Sequence, residues 1–281
     1  MKSAVACKSA LASRCSGPIA VNWPASSPPK IYPKVSHHMI LWSHNAYWFQ
    51  GAPSLWGEEL QAPHPEALAA LTELYASLQP DILLLQEVPG PDVSTALSDA
   101  LNMRSHFVPG GERSAYGGCI LWSLDLDVTV EDLSSYRTSA GKRFERIFMH
   151  LVLRIGNRKL SVINLHLSSN RFAPDGQGEP VRLAEICTAL TQVASPAVVA
   201  GDFNATSESR VYEHMVQAGF HEPHPDKNGV RRIDYVWIDS SQLQAEALAM
   251  PENFEIPDQT NIALSDHLPV GVRLFLAETN T

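Results

Sequence analysis

The chain has 281 residues, 44% of them hydrophobic, and a formal net charge of −9 at neutral pH. That is enough material for one large α/β domain, and no apolar run reaches the roughly 18 residues of a membrane-spanning helix, so no membrane span is expected. The acidic balance disfavours a protein that grips long nucleic acid nonspecifically, because phosphate contacts normally require a basic surface.

The first 38 residues differ in composition from the rest. They are rich in Ser, Ala and Pro and contain no acid, whereas five of them are basic: Lys2, Lys8, Arg14, Lys30 and Lys34. The remaining chain therefore has 16 basic and 30 acidic residues, a balance of −14. Three interpretations stay open: an organelle transit peptide, a disordered tail, or an artefact of the assigned start. We treat residues 1–38 as a leader and 39–281 as one domain.

The four cysteines, Cys7, Cys15, Cys119 and Cys187, form no C-x-x-C pair. Cys119 lies in a strand-like run and Cys187 in a helix-like run, where buried reduced thiols are the commonest state. This usage predicts a reducing compartment such as the cytoplasm. The basic leader leaves targeting to an organelle open.

Helix-like and strand-like segments follow each other quickly after the leader. Apolar residues at spacings of three and four predict helices at 65–78, 92–101, 180–193 and 207–218. Short apolar or alternating runs predict strands at 39–43, 81–86, 116–123, 144–155, 159–167, 197–201, 233–238 and 268–276. Many strands with few helices predict a four-layered α/β sandwich, in which two mixed β-sheets pack face to face with the helices outside.

Several predicted strands end abruptly in a polar residue. Asn45, Glu87 and His166 each follow an apolar run, and Asp202 and Asn204 follow another. Strand ends that share one rim of a sheet bring residues that are distant in sequence into one crevice. The coincidence at several strand ends therefore favours a metal site or an acid–base site over isolated turn or cap residues.

The residue types at these strand ends suit a hard cation. Carboxylate and amide oxygens are the ligands of Mg²⁺ and Mn²⁺, whereas a structural zinc site would use Cys or more His. Taken alone, each residue has a structural explanation as a turn former, a cap or a hydrogen-bonded core histidine. The same holds for Asp266 and His267 in the polar S-D-H turn.

Five short motifs support a family resemblance. In chain order they are Q-E-V at 86–88, N-L-H-L at 164–167, G-D-F-N at 201–204, R-I-D-Y at 232–235 and S-D-H-L-P-V at 265–270. In this order they resemble the endonuclease/exonuclease/phosphatase superfamily, over about residues 40–276. That group includes exonuclease III-like and DNase I-like nucleases, neutral sphingomyelinases, inositol polyphosphate 5-phosphatases and deadenylases. The resemblance implies a DNase I-like fold and hydrolysis of a phosphoester with Mg²⁺ or Mn²⁺.

The resemblance also implies a metal site. Glu87 corresponds to the main metal ligand of the superfamily, and Asn45 lies beside the metal. Asp266 supports either the metal or His267.

The remaining motif residues correspond to catalytic groups. Asp202 and Asn204 hold or activate the attacking water and orient the phosphate, and His166 donates to a phosphoryl oxygen. Members of the superfamily use either the aspartate of G-D-x-N or the histidine of S-D-H as the general base. By analogy with the phosphodiesterase branch we favour His267, with Asp234 fixing its tautomer.

Two departures from the nuclease pattern bear on the substrate. Tyr47 stands where exonuclease III-like nucleases show a second Asn or Asp, and His166 stands where abasic-site nucleases show Tyr. Both favour the sphingomyelinase-like and phosphatase-like branches, so the expected partner is a small or lipid-like phosphoester. A DNA or RNA nuclease is the first alternative, and a noncatalytic binding module with the same fold is the second.

Three weaker candidates were weighed against structural roles. Arg143 and Arg146 in K-R-F-E-R could grip a phosphate, but we favour surface solvation. The H-E-P-H segment at 221–224 is not expected to bind metal, because its proline disfavours the required helix. Four aromatic residues of the first loop region fit either an apolar lip or core packing: Trp42, Trp48, Phe49 and Trp56.

Overall fold

The computed structural model describes residues 38–173, 178–224, 232–239 and 243–275, so the predicted leader lies outside it except for His38. These residues form strands β1 (His38–Asn45), β2 (Ile82–Val88), β3 (Met103–Val108), β4 (Gly117–Ser123), β5 (Asp127–Asp132), β6 (Phe148–Ile155), β7 (Arg158–His166), β8 (Ala197–Asp202), β9 (Phe220–His221), β10 (Asp234–Asp239), β11 (Gln244–Ala247) and β12 (Val270–Phe275). The helices are α1 (Pro65–Leu78), α2 (Pro91–Leu101), α3 (Gly178–Leu190) and α4 (Arg210–Gln217). None of the described helices is long and apolar enough to cross a membrane.

The strands form two six-stranded sheets, with the orders β11-β12-β1-β2-β4-β3 and β5-β6-β7-β8-β10-β9. The pairs β1–β2 and β7–β8 are parallel and the others are antiparallel, so both sheets are mixed. Buried apolar residues of β1, β2 and β4 pack against those of β6, β7 and β8 between the sheets. Helices α1 and α2 cover the outer face of the first sheet, and α3 and α4 cover the second. The predicted four-layered DNase I-like sandwich is confirmed.

The central strands are buried on both faces. In β7, Leu160 and Val162 face the other sheet, whereas Ile163 and Leu165 face the outer helices. Strands of this kind show nearly continuous apolar runs, since neither face meets water.

A polar bridge interrupts the apolar layer between the sheets. Asn164 of β7 accepts a hydrogen bond from Gln86 Nε2 of β2 (2.7 Å) and donates one to the carbonyl of Leu85 (3.1 Å). Each buried hydrogen bond contributes on the order of 1 kcal/mol, and an unpaired partner would cost more. The bridge therefore fixes the end of β2 relative to the end of β7, where the polar motif residues lie.

Sequence signals at the helix ends agree with the observed boundaries. Pro65 and Pro91 occupy the first helical positions of α1 and α2, where the missing N–H of proline costs nothing. Gln79 and Asn102 end these helices in the left-handed conformation, with φ of 47° and 51°. Such a residue commonly closes the last turn of a helix.

Candidate active site

Three strands place polar side chains in one row at the rim of the second sheet. Asp202 at the end of β8 pairs in register with His166 of β7 on one side and with Asp234 of β10 on the other. Neighbouring strands lie about 4.8 Å apart, so the register alone brings these three side chains together. Gly201 allows this close pairing, because it has a φ of 137° and a Cβ there would lie 1.8 Å from the Leu165 carbonyl oxygen.

Asp202 is the hub of the rim. Asn45 Nδ2 donates to its Oδ2 at 3.1 Å, the backbone N–H of Asn204 donates to its Oδ1 at 2.8 Å, and His166 Nε2 lies 3.1 Å from Oδ2. Burial opposes ionisation, but His166 and His267 hold the pKa of this carboxyl well below its usual range. Asp202 is therefore a fixed, buried negative charge to which both sheets contribute donors.

A histidine–aspartate pair stands beside the hub. His267 Nδ1 lies 2.7 Å from Asp234 Oδ2, while its Nε2 lies 3.9 Å from Asp202 Oδ2 and 3.8 Å from Asp266 Oδ1. Burial would lower the pKa of His267, but Asp234 and the other two carboxylates raise it well above its ordinary value. The bond at Nδ1 fixes the ring so that Nε2 faces the carboxylates.

The turn that carries His267 is tied to the first sheet. Ser265 Oγ donates to the Asn45 carbonyl (2.7 Å) and accepts from the His267 N–H (3.2 Å). His44 of β1 contacts the His267 carbonyl through Nε2 (3.0 Å) and the Tyr75 hydroxyl through Nδ1 (2.7 Å). Burial lowers the pKa of His44 to about 3, so this ring is neutral, and its two contacts link the turn to α1.

Glu87 reaches the site through a β-bulge. The pairing of β2 with β4 shifts register between Gln86 and Val88, and Glu87 has a φ of 54°. Bulges re-aim a side chain next to a site, and positive φ in a residue other than glycine is strained. Glu87 as a residue is only 6% exposed, and its Oε1 lies 3.9 Å from His166 Nε2. Burial raises the pKa of Glu87 to about 8.

Arg146 is a site residue that the sequence interpretation missed. Its guanidinium is only 4% exposed, and it contacts His166 Nε2 (2.5 Å), the Leu167 carbonyl (3.1 Å) and Ser169 Oγ (3.0 Å). The expected surface solvation is therefore wrong for Arg146, although Arg143 is exposed. Burial and then Arg146 lower the pKa of His166 to about 4, which keeps that imidazole neutral. Its Nε2 either accepts from Arg146 or donates to Asp202, not both.

An aromatic wall, formed by Trp48, Tyr116 and Phe172, borders these groups. Arg146 stacks 4.6 Å over the Tyr116 ring, and Tyr116 makes edge contacts with Trp48 and Phe172 at centroid distances of 5.0 and 5.8 Å. Trp48 is anchored by a hydrogen bond from its indole N–H to the Ala115 carbonyl (2.9 Å). Tyr116 was not singled out in the sequence, and the aromatic spacing around it gave no signal.

Most of the weaker candidates from the sequence pack in the protein interior or bond to other protein groups. Trp42 and Phe49 are buried in the core beneath α1 and α2, so core packing is confirmed for them. Trp48 is buried in the aromatic wall against Tyr116, and Trp56 is 42% exposed. In the H-E-P-H segment Glu222 bonds His224 Nδ1 at 2.7 Å, and His224 Nε2 contacts the Gly271 carbonyl at 2.9 Å.

Cys119, Cys187 and Asn204 are three further described residues that the sequence analysis named. Cys119 is buried and Cys187 is half-buried, and neither forms a disulfide with a described residue. Burial raises the pKa of Cys119 to about 12. Asn204 adopts a left-handed φ of 48° and donates from Nδ2 to the Leu167 carbonyl (3.0 Å). This bond fixes the G-D-F-N loop against the end of β7.

The donor chemistry fits a divalent cation. One ligand atom from each of Asp202, Asp234 and His267 lies within 4.8 Å of the others. Because Nδ1 of His267 is already engaged by Asp234, this group resembles an acid–base pair more than a full coordination shell. Glu87 adds a further buried carboxyl to the site, and burial raises its pKa to about 8. Asp234 Oδ1 is also buried without a hydrogen-bond partner among the described residues.

Glu185 of α3 holds the backbone around Arg146 and His166. Its carboxylate accepts from the N–H of Glu145 (3.0 Å), the N–H of Ser168 (2.9 Å) and the Ser168 hydroxyl (2.8 Å). Burial outweighs these bonds and raises the pKa of Glu185 from 4.5 to about 6. The residue lies in a helix-like run and carried no signal in the sequence.

We predict that Glu185→Gln alters how stability depends on pH. Between the unfolded and folded pKa values the folded protein retains a proton that the unfolded chain has lost, so this carboxyl's contribution to the free energy of unfolding falls as pH rises. Glutamine does not titrate. The stability deficit of the variant should therefore be about 1 kcal/mol larger at about pH 5 than at about pH 7. Urea unfolding at both pH values measures it, and an equal deficit would contradict the raised pKa.

The architecture and the rim define a class of protein. Two stacked mixed sheets with carboxylates, amides and imidazoles at one edge are the DNase I-like α/β sandwich. The model of the Endonuclease/Exonuclease/phosphatase family matches residues 43–267, and the chain therefore belongs to this family, whose members are typically hydrolases. No curated protein gives a significant match.

Solved structures share the fold at low sequence identity. The human Nocturnin catalytic domain with bound sulfate anion has a TM-score of 0.63 and 19% identity over 84% of this chain and 94% of its own. Truncated TDP2 from Caenorhabditis elegans has a TM-score of 0.59 and 20% identity over 85% and 97%. An endonuclease/exonuclease/phosphatase from Beutenbergia cavernae has a TM-score of 0.59 and 16% identity over 85% and 72%.

Proposed function

We propose that the protein is a divalent-metal-dependent hydrolase of phosphoesters, acting on a small or lipid-like substrate by in-line attack of an activated water. The observation that carries this proposal is the convergence of His166, Asn45 and His267 on Asp202, with heavy-atom distances of 3.1, 3.1 and 3.9 Å. Such a hydrolysis needs a base for the water and positive or donor groups for the phosphoryl oxygens. The rim offers both.

The metal is assigned to Glu87, with Asn45 beside it and Asp266 in support. When bound, Mg²⁺ or Mn²⁺ neutralises charge on the phosphate and on the leaving oxygen. The buried Glu87 carboxyl supports this assignment, because burial raises its pKa to about 8 although Arg146 and His267 lower it. A divalent cation would compensate the charge and restore the ionised form.

His267 is assigned as the general base. Its Nδ1 is held by Asp234, so Nε2 is the nitrogen that takes the proton of the water. Asp234 fixes the tautomer and stabilises the imidazolium that forms. Asp202 and Asn204 orient the water and the phosphate, and Asp202 adds the negative potential that makes Nε2 a stronger base.

His166 and Arg146 are assigned to the phosphate side. Arg146 supplies a buried positive charge beside His166 Nε2. The human Nocturnin domain, which shares this fold, binds a sulfate anion, and sulfate has the tetrahedral shape of a phosphate. The preference for a small or lipid-like substrate rests on the net charge of −9 and on the aromatic wall beside His166.

A substrate panel tests the proposal. The full chain is assayed with bis-p-nitrophenyl phosphate, p-nitrophenyl phosphate, single-stranded RNA and plasmid DNA, each with added Mg²⁺ or Mn²⁺. We expect release of nitrophenol that stops with excess EDTA and returns when Mg²⁺ is restored, because the chemistry requires the cation. Turnover that survives EDTA would contradict metal dependence, and cleavage of plasmid or RNA alone would assign a nuclease instead. Asp202→Ala protein measures the background.

A further inference from the structure

A cavity of about 420 Å³ lies beside the candidate active site. Glu145 and Ser168 both line it. Glu145 directly precedes Arg146, and Ser168 follows His166 by two positions. An extended chain advances about 3.3 Å per residue, so the wall of the cavity begins within about 7 Å of His166. A molecule that reacts at the rim could therefore extend into this space.

The lining of the cavity is basic in an acidic protein. It contains the cations Arg113, Lys142 and Arg143 and only two carboxylates, Glu112 and Glu145. Arg113 is already paired with Glu145, at 2.5 Å between Nε and Oε1. Lys142 and Arg143 are exposed and form no ion pair with any described residue. Glu112 offsets one of these two charges, so the lining carries a net charge of +1, although the whole chain has a net charge of −9.

The two cations sit on a closed loop. The Thr138 N–H donates to the Lys142 carbonyl (2.7 Å), the Gly141 N–H donates to the Thr138 carbonyl (2.8 Å), and Arg137 pairs with Arg143 through the backbone. Adjacent residues on a loop closed by hydrogen bonds lose less freedom on binding than residues of an open loop.

The backbone of two other lining residues, Glu145 and Ser168, is also fixed. Glu185 binds the backbone N–H groups of Glu145 and Ser168, and Arg182 donates to the Ser168 carbonyl (3.1 Å). Arg113 stacks 3.6 Å over the centroid of Phe172, and both residues line the cavity. The cavity is a preformed site that shares its wall with the rim, and its volume lies in the range of small-molecule sites.

We propose, on the basis of the function assigned above, that this cavity binds a second phosphate of the substrate through Lys142 and Arg143. The substrate class is then a small phosphoester that carries two phosphate groups, one at the rim and one in the cavity. Arg presents a planar fork to phosphate oxygens and Lys a compact point charge, so the two side chains together match a dianion. A substrate with a single phosphate leaves both cations unused.

A matched pair of ligands tests this proposal. Adenosine 3′,5′-bisphosphate and adenosine 3′-monophosphate are titrated into the full chain in the presence of Ca²⁺, and the two dissociation constants are compared. We expect the bisphosphate to bind at least about tenfold more tightly. The double variant Lys142→Ala/Arg143→Ala should lose most of this preference while keeping its affinity for the monophosphate within about threefold.

The control removes the same charge elsewhere. Arg104 and Lys159 are exposed and lie at the far ends of β3 and β7 from the rim, so Arg104→Ala/Lys159→Ala should keep the preference. Equal binding of both ligands by the natural protein, or an equal loss in both double variants, would overturn the proposal. Hydrolysis of bis-p-nitrophenyl phosphate is measured in parallel. If Lys142→Ala/Arg143→Ala loses the bisphosphate preference but still hydrolyses bis-p-nitrophenyl phosphate, the result supports the cavity site. If the natural protein shows the preference but no hydrolysis, the result contradicts only the assigned function.

Discussion

Replacing His267 by alanine is expected to lower kcat at least about a hundredfold, the usual scale of a lost acid–base group. The physical reason is that Nδ1 is bound to Asp234 at 2.7 Å, which leaves Nε2 as the nitrogen that can accept the proton of the attacking water. Alanine removes that acceptor and leaves Asp234 without its partner. Hydrolysis of bis-p-nitrophenyl phosphate with saturating Mg²⁺ measures the loss.

Two further variants separate the base from its surroundings. His221→Ala removes an exposed histidine of β9 and should leave kcat unchanged. Asp234→Asn keeps the imidazole but removes the carboxylate that raises the pKa of His267. The acidic limb of its kcat/KM profile should therefore move to lower pH, with a lower plateau. A His267→Ala enzyme whose kcat stays within about threefold of the natural one would transfer the role of base to Asp202.

The sequence predicts the interior strands of the two sheets but not their edge strands. All eight predicted strands correspond to interior strands of the two sheets, whereas the four missed strands, β3, β5, β9 and β11, are the four sheet edges. Interior strands are buried on both faces and show apolar runs. Edge strands are half-exposed and polar: β5 reads D-V-T-V-E-D and β11 reads Q-A-E-A. Their structure comes from pairing with a neighbour, which composition alone does not show.

The site residues also fall into those that the sequence predicts and those that it does not. Five motif residues could be placed together because they lie at or just beyond the ends of buried strands: Asn45, Glu87, His166, Asp202 and Asn204. The parallel register of β7 with β8 then sets His166 opposite Asp202. Asp234, which begins β10, and His267, which precedes β12, could be placed only through the family resemblance. Arg146 could not be placed, because its burial depends on groups contributed by other segments, namely His166 and Ser169. The sequence also could not predict the left-handed φ of Glu87, because glutamate has no local preference for that conformation.

Glu87→Gln is expected to reduce hydrolysis at subsaturating Mg²⁺ at least about a hundredfold, with partial recovery at high metal concentration. Glutamine keeps the size of the side chain but offers the cation a neutral oxygen, and loss of a carboxylate ligand weakens the binding of a hard cation. The pKa of Glu87 is about 8 in the folded protein against an ordinary value of 4.5, so this buried carboxyl costs folding free energy at neutral pH. Glutamine avoids that cost, and the variant should also be at least as stable as the natural protein at neutral pH without metal. Activity against Mg²⁺ concentration and metal-free thermal unfolding give the two measurements.

The two outcomes together distinguish a ligand from a structural residue. If Glu87 were a structural residue, its substitution would lower the stability and the activity of the protein together. If Glu87 is a metal ligand, its carboxyl destabilises the metal-free protein, and a neutral side chain removes that destabilisation. The positive φ and the burial of Glu87 both cost free energy. Glu73→Gln, an exposed residue of α1, provides the control for one lost negative charge. An unchanged Mg²⁺ requirement in Glu87→Gln would remove Glu87 from the metal site and leave Asp202, Asp234 and His267 as the cation-binding group.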